Sequence, residues 1–490
     1  MVHNANTWLK SLRSGAQTPD SIYMEGGTTL LQAAALKSRT DGVDFGGNPL
    51  AGRDAARYDI DGGRPLSGEV VISGAKNAAT KLIIASLISS DVCRIGNVPR
   101  IRDVELTLNI CEALGCIVDW IDESSVEIDS RGMNDHRIPL KYSGAMRTSV
   151  LFVAPLLLRL GAADLRTVGG CNLGKRPIDY HIDGLERLGV QVTEEDHTYH
   201  FVAPGIRGTT VELEYPSVGA TEQLLIASAG AHGRTVIRNA AIEPEIQNLV
   251  GFLQSMGAIV YQDECRTWIV DGVDEFRGST YSVMNDRIEA ASFGALAVAS
   301  GGSIFVRGAQ QEHLITFLNM LRKTGGEFDI DAVGIRFFRK NGIHPAILET
   351  DVHPGFMTDW QPPFSLLLTQ ADGVSIVHET VYEHRFGFVE AIQRMGASIQ
   401  LHTSCLGNKQ CRFLNSHFDH SAIISGPTKL AADDVEIPDL RAGFAYLMAA
   451  LLADGTSRIR GIENVKRGYS FIREKIEAIG ASIREEIVSA

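Results

Sequence analysis

The sequence predicts a mixed α/β (α+β) protein of two lobes, each a threefold repeat of one sheet-and-helix unit. Three observations carry that reading. A phrase consisting of an apolar helix end, Gly, a small residue and a strand-like run recurs six times, at Gly115, Gly189, Gly257, Gly325, Gly396 and Gly480. A second pattern precedes it, a small-residue helix, a β-branched strand and another helix, as in AHGRTVIRNAAIEPEIQNLVGFLQSMG and ASGGSIFVRGAQQEHLITFLNMLRKTG. Finally, 490 residues that are 44% hydrophobic and 21% charged hold enough apolar matter for large cores.

Each element has a local reason. A Gly just past a helix adopts the left-handed conformation that ends it, and the alternating residues that follow suit a strand. The period of about 70 residues is longer than the ~20–50 residues usual for solenoids, which favours two closed lobes that divide near residue 285. Residues 1–60 fall outside the repeat. They are rich in Gly and polar residues with one apolar patch, LLQAAAL, and are expected to form a flexible extension with one short helix. Residues 402–421 lengthen the connection after the Gly396 phrase and read as a surface loop.

Charge and cysteine usage exclude several classes. The net charge of −13 disfavours nucleic acid as a partner, so any anion must be bound in a local cationic pocket. No apolar run reaches the ~18–20 residues that span a bilayer, and the longest, 150–158, is closed by Arg159. The start, MVHNANTWLK, lacks the basic-then-apolar pattern of a signal peptide, which predicts a cytoplasmic protein without membrane partners. Seven cysteines without a CxxC read as reduced thiols, with no zinc site.

The richest chemical segment is GGCNLGKRPIDYH, 169–181. It mimics a phosphate-binding loop, but Arg176 stands where that motif needs Ser or Thr, so an ATPase is rejected. What remains is Cys171 between glycines with Lys175 and Arg176 nearby, either a thiolate stabilised by cations or a structural thiol in a turn. Lys76, between a strand and a small-residue helix, is either an anion ligand at a helix start or a solvated lysine. Asp359 lies in HPGFMTDWQPPF, either as a base in a rigid, partly apolar loop or as a turn residue. Arg385, Arg441 and Arg467 are either surface charges or, with Lys76 and Arg176, the wall of a cationic cleft. PSVGATEQ either cradles a phosphate with its backbone N–H groups or simply starts a helix.

In chain order the motifs SGAKN, GGCxxGxRPxDxH, PSVGAT, EPEI, NDRIE, TDxQ, ETVxExRF, DLRAG and RGY make the chain, from about Gly63 to its end, resemble the UDP-N-acetylglucosamine enolpyruvyl transferases. These are relatives of the 5-enolpyruvylshikimate-3-phosphate synthases. The resemblance implies an inside-out α/β barrel with helices inward. It also implies a catalytic lobe formed by 61–75 and 285–490, with 76–284 inserted as the lobe that carries the Cys loop. It implies enolpyruvyl transfer from phosphoenolpyruvate to the 3-hydroxyl of UDP-N-acetylglucosamine in peptidoglycan synthesis. The same chemistry on another uridine nucleotide, such as UMP, stays open.

The roles implied by the resemblance are as follows. Lys76, Arg176 and Arg467 hold the phosphate of phosphoenolpyruvate, and Arg441, with Arg385 and with Arg467 as a further candidate, contacts its carboxylate side and the reacting centre. Cys171 is the general acid at the vinyl carbon and the target of the epoxide fosfomycin. Asp359 takes the proton of the sugar hydroxyl. Asn77, Arg147, Pro177, Ile178, Asp179, Tyr180, Ser217, Val218, Gly219 and Val381 line the nucleotide-sugar site. No metal and no organic cofactor is implied, and the expected state is a monomer or weak homo-oligomer.

Overall fold

The computed structural model describes residues 55–143, 146–166, 178–408, 411–438 and 442–488. The expectations for residues 1–54 lie outside this range. Six four-stranded sheets share one topology. A short edge strand runs parallel to its neighbour, and the next two strands follow antiparallel. In one sheet, for instance, Thr210–Glu212 lies parallel to Arg234–Arg238, then Trp268–Asp271 and Ile259–Gln262 follow antiparallel. All six repeat glycines have positive φ, between 87° at Gly480 and 106° at Gly257 and Gly396, as the recurring phrase requires.

Three sheets and their helices surround each of two cores. One core runs from Ala75 to Val283. The other takes Tyr58 to Ile72 and resumes at Ala290. Helices fill the interior. In Val218–Ala229 and Arg287–Ser300 nearly every residue is buried, which the Ala, Gly and Ser content permits because small side chains let helices approach closely. The sheets lie outside, with strands such as Thr456–Arg460 alternating exposed and buried residues.

Two segments cross between the lobes. Gly74 bridges Asn285, Ala75 N–H donates to the Met284 carbonyl at 2.7 Å, and Asp286 N–H to the Ser73 carbonyl at 2.8 Å. Asn97 closes the crossing by donating to Asn285 Oδ1 and the Val283 carbonyl, both at 2.9 Å. A Cβ on Gly74 would collide with the Asn97 carbonyl, so this position needs glycine. Beside it the buried Lys475 ammonium reaches Glu289 at 2.5 Å and Ser73 Oγ at 2.8 Å.

One boundary needs correction. Residues 55–60, assigned to the extension, belong to the strand Ala55–Asp61, which pairs with Thr456–Arg460 on one side and Ser482–Val488 on the other. ARYDID alternates, and Tyr58 and Ile60 point into the core. The 402–421 connection is likewise more than a surface loop, since Phe413 and His420 within it are buried. Among the described residues no helix is long and apolar enough to cross a membrane.

Candidate functional site

Cations from both lobes meet on one carboxylate. Lys76 opens the helix Lys76–Ser86, and its Nζ is 2.6 Å from Asp103 Oδ2, near the start of the helix Arg102–Ala113. From the other lobe, Arg467 Nε donates to Asp103 Oδ1 at 3.1 Å. Burial alone would push the Asp103 carboxyl up, but Lys76 and Arg467 outweigh it and hold the group below the usual carboxylate range. Arg467 is the C-cap residue of the helix Ile462–Lys466.

Asp359 and Arg385 form a second group. Asp359 lies in a 3₁₀ turn, Thr358–Trp360, and Arg385 begins another, Arg385–Phe388. Arg385 Nη2 is 2.6 Å from Asp359 Oδ1, with the guanidinium side chain 2% exposed and the carboxylate 29% exposed. The loop around Asp359 is therefore not merely apolar, because its carboxylate faces a buried cation. Arg385 Nε donates to Thr358 Oγ1 at 3.0 Å, and that hydroxyl donates to Glu379 Oε1 at 2.9 Å. The same Glu379 oxygen accepts from the N–H of Val381 at 2.9 Å and of Tyr382 at 2.8 Å, which fixes the turn that bears Val381. Burial pushes the Glu379 carboxyl up to about 6. Among the described residues the buried Arg385 Nη1 has no hydrogen-bond partner, which leaves a donor for an anionic oxygen.

A third group lies wholly in the first lobe. Asp179 opens the helix Asp179–Arg187, Ile178 precedes it, and Ile178 and Tyr180 pack against the core. Ser217 caps the helix Val218–Ala229, its Oγ accepting from Ala220 N–H at 3.3 Å, so PSVGAT does start a helix. Gly219 is small for a reason: its Cβ would come within 3.1 Å of His181 Nε2. Burial, and then the nearby Arg147, pull the His181 imidazole down to about 3. Arg147 starts the 3₁₀ helix Arg147–Phe152, and Asn77 follows Lys76.

The second and third groups meet through Arg412. Its Nη2 donates to the Val381 carbonyl at 2.5 Å, and its guanidinium lies 4.8 Å over the ring of Tyr215, next to the PSVGAT turn. A further tie between lobes is the Arg266 guanidinium on the His353 carbonyl. Cys171, Arg176, Pro177 and Arg441 lie outside the described residues.

Sequence reasoning missed Asp103, Glu379, His181 and the pair Glu245–Arg287. The last are bonded through both guanidinium arms at 2.9 Å and are 4% and 2% exposed. The signal was present, because EPEI and NDRIE place opposite charges at the starts of two otherwise apolar helices.

The chain is similar to known proteins over most of its length. Residues 60–476 match the model of the family described as EPSP synthase (3-phosphoshikimate 1-carboxyvinyltransferase). The UDP-N-acetylglucosamine 1-carboxyvinyltransferase of Protochlamydia amoebophila is 47% identical over 435 residues, covering 86% of this chain and 93% of that protein. The protein of that name from Gloeobacter violaceus is 38% identical, covering 88% and 91%. Among solved structures, the enolpyruvyl transferase NikO of Streptomyces tendae superposes with a TM-score of 0.78 at 23% identity. That match covers 89% of this chain and all of that one.

Proposed function

The chain belongs to the EPSP synthase family of carboxyvinyl transferases, and from that premise we propose that it transfers the enolpyruvyl group of phosphoenolpyruvate to the 3-hydroxyl of UDP-N-acetylglucosamine. Phosphate is released, and the product enters peptidoglycan synthesis. The observation that carries the reading is the extent of the likeness. Relatives with that activity in their names are 45–48% identical over both lobes. The geometry adds support, because Lys76 and Arg467, the two described cations expected to hold the phosphate, come from opposite lobes and converge on Asp103.

The proposed chemistry uses these residue types in balance. Cys171 gives a proton to C3 of the enol, which makes C2 electrophilic. The sugar O3 bonds to C2 while Asp359 accepts the hydroxyl proton. Loss of a proton from C3 and of phosphate from C2 restores the vinyl group. Lys76, Arg176 and Arg467 neutralise the departing phosphate, and Arg385 and Arg441 hold the carboxylate side. Asn77, Arg147, Pro177, Ile178, Asp179, Tyr180, Ser217, Val218, Gly219 and Val381 would line the nucleotide-sugar site between the lobes, whose closure excludes water.

The test is phosphate release from phosphoenolpyruvate with UDP-N-acetylglucosamine, UMP or shikimate 3-phosphate as acceptor. Turnover with the sugar nucleotide far above the other two is expected. Preference for UMP would overturn the acceptor, and release with none of the three would overturn the reaction.

A further inference from the structure

We propose that the long connection after the Gly396 phrase is folded around a structural zinc ion held by His378, Cys405, Cys411 and His420. His378 ends the strand Gly373–His378, the two cysteines lie in the connection, and His420 directly precedes the strand Ser421–Gly426. Their four candidate ligand atoms lie within 4.8 Å of one another.

The two separations made by Cys405 match the edges of a tetrahedral zinc site. With Zn–S about 2.3 Å and Zn–N about 2.0–2.1 Å, neighbouring ligand atoms are ~3.7 Å apart for two sulfurs and ~3.5 Å for sulfur and nitrogen. Cys405 Sγ is 3.5 Å from Cys411 Sγ and 3.5 Å from His420 Nε2. The sulfur separation is far beyond the ~2.05 Å of a disulfide.

The surroundings orient the ligands. His420 Nδ1 is 3.2 Å from the Phe418 carbonyl, so Nδ1–H donates there and the Nε2 lone pair is left for the metal. His378 is fully buried, and among the described residues neither ring nitrogen has a partner at hydrogen-bond distance, so Nε2 is available for coordination. Its Nδ1 faces Glu349 Oε1 at 3.6 Å, the carboxylate-behind-imidazole arrangement typical of zinc ligands. Glu349 is in turn held by the Asn408 N–H, and a Cβ on Gly407 would collide with both Glu349 and His378. The backbone of the connection is thus pressed onto this pair. Phe413 and Phe418 pack against His420 with ring centroids at 6.0 and 6.1 Å and cover that side of the cluster.

Two thiolates and two imidazoles suit zinc, and four protein ligands leave no open position, so the ion is structural rather than catalytic. Its binding releases the two thiol protons. Position gives it a purpose: Arg412, next to Cys411, reaches Val381 and Tyr215, so the ion would anchor the segment that joins the two lobes there. The expectation of no zinc site, drawn from the missing CxxC, overlooked ligands separated by 5, 8 and 26 intervening residues, which only the folded sheet collects.

The test is metal analysis of the full chain purified reduced and without chelator. One zinc per chain is expected. The metal-free protein should take up one Co²⁺ with the intense visible bands of tetrahedral coordination and thiolate-to-metal charge transfer, and Zn²⁺ should displace it. Cys405 and Cys411 should resist iodoacetamide until a chelator is added. Cys411→Ser and His420→Asn should lose the cobalt spectrum, whereas Cys265→Ser, at an exposed site outside the cluster, should keep it. Folded wild-type protein that binds neither Zn²⁺ nor Co²⁺ would overturn the proposal. So would a Cys405–Cys411 disulfide in freshly purified reduced protein, or full metal binding by Cys405→Ser/Cys411→Ser. These readouts do not depend on which acceptor the enzyme uses.

Discussion

Asp103 Oδ1 and Arg467 Nε stand 3.1 Å apart, although one residue belongs to the first lobe and the other to the second. With Lys76 on its other oxygen, Asp103 occupies two cations that, on the proposed function, would bind the phosphate. The carboxylate is thus both a clasp between lobes and a stand-in anion.

Asp103→Asn should therefore leave two like charges facing each other. The clasp is only part-buried, so a loss of about 1–2 kcal/mol is expected, below the ~3–5 kcal/mol of a fully buried pair. Inorganic phosphate should recover much of it. Thermal melts with and without phosphate check this, and a variant that gains no more from phosphate than the wild type would show that Lys76 and Arg467 do not form an anion site.

Arg287→Ala removes the partner of a fully buried carboxylate, Glu245, and should cost about 3–5 kcal/mol. The double variant Glu245→Ala/Arg287→Ala should lose less than the two single losses combined, because no charge is then stranded. Denaturant titration of the four proteins measures the coupling.

His181 sets a pH dependence. Its folded-state value of about 3 lies below the ordinary 6.5. A depressed imidazole contributes stability that is present above pH 6.5 and is lost as pH falls toward 3. At pH 5 the loss relative to pH 8 is about 2 kcal/mol by the linkage relation. His181→Gln lacks this term, so the melting difference between wild type and variant should shift toward the variant on acidification. Parallel curves between pH 8 and 5 would mean that the imidazole is not buried neutral.

For Asp359, replacement by Asn should lower kcat by about 10²–10⁴-fold with little change in acceptor affinity, the signature of a lost base. Arg385→Lys should also be damaging, since a lysine cannot engage both Thr358 and Asp359 with a planar fork. Steady-state kinetics with binding measured separately distinguishes a base from a binding residue, for which KM alone would rise.

A chain shortened to begin just before Ala55 should keep the fold, whereas one that begins at Gly62 should lose a central strand together with buried Tyr58 and Ile60. Circular dichroism and solubility of the two truncations decide this.

The repeat was readable because its signals are local. A left-handed Gly after a helix and an alternating strand are written within one short stretch, and all six such glycines behave as expected. Motif residues that begin helices, such as Lys76 and Ser217, were readable for the same reason. Partnerships were not. Asp103 is distant in sequence from Arg467, and nothing in RDVEL marks it as their meeting point. The strand Ala55–Asp61 lay in a segment whose composition resembled an extension, and its partners are at the far end of the chain. The His and Cys cluster was hidden because its ligands come from two strand ends and the connection between them, which only the folded sheet brings together.

The pairing of Ala55–Asp61 with Ser482–Val488 also dictates an order of biogenesis. The first lobe is continuous in sequence and can close as soon as residues near 284 have emerged from the ribosome. The strand Ala55–Asp61 must wait for its neighbour Ser482–Val488, an interval on the order of tens of seconds at typical rates of synthesis. During that time the strand that carries Tyr58 and Ile60 lacks one of its two neighbours, so the second lobe is completed well after the first can close. Nascent chains stalled before residue 482 should accordingly display a protease-resistant first lobe beside an open second one.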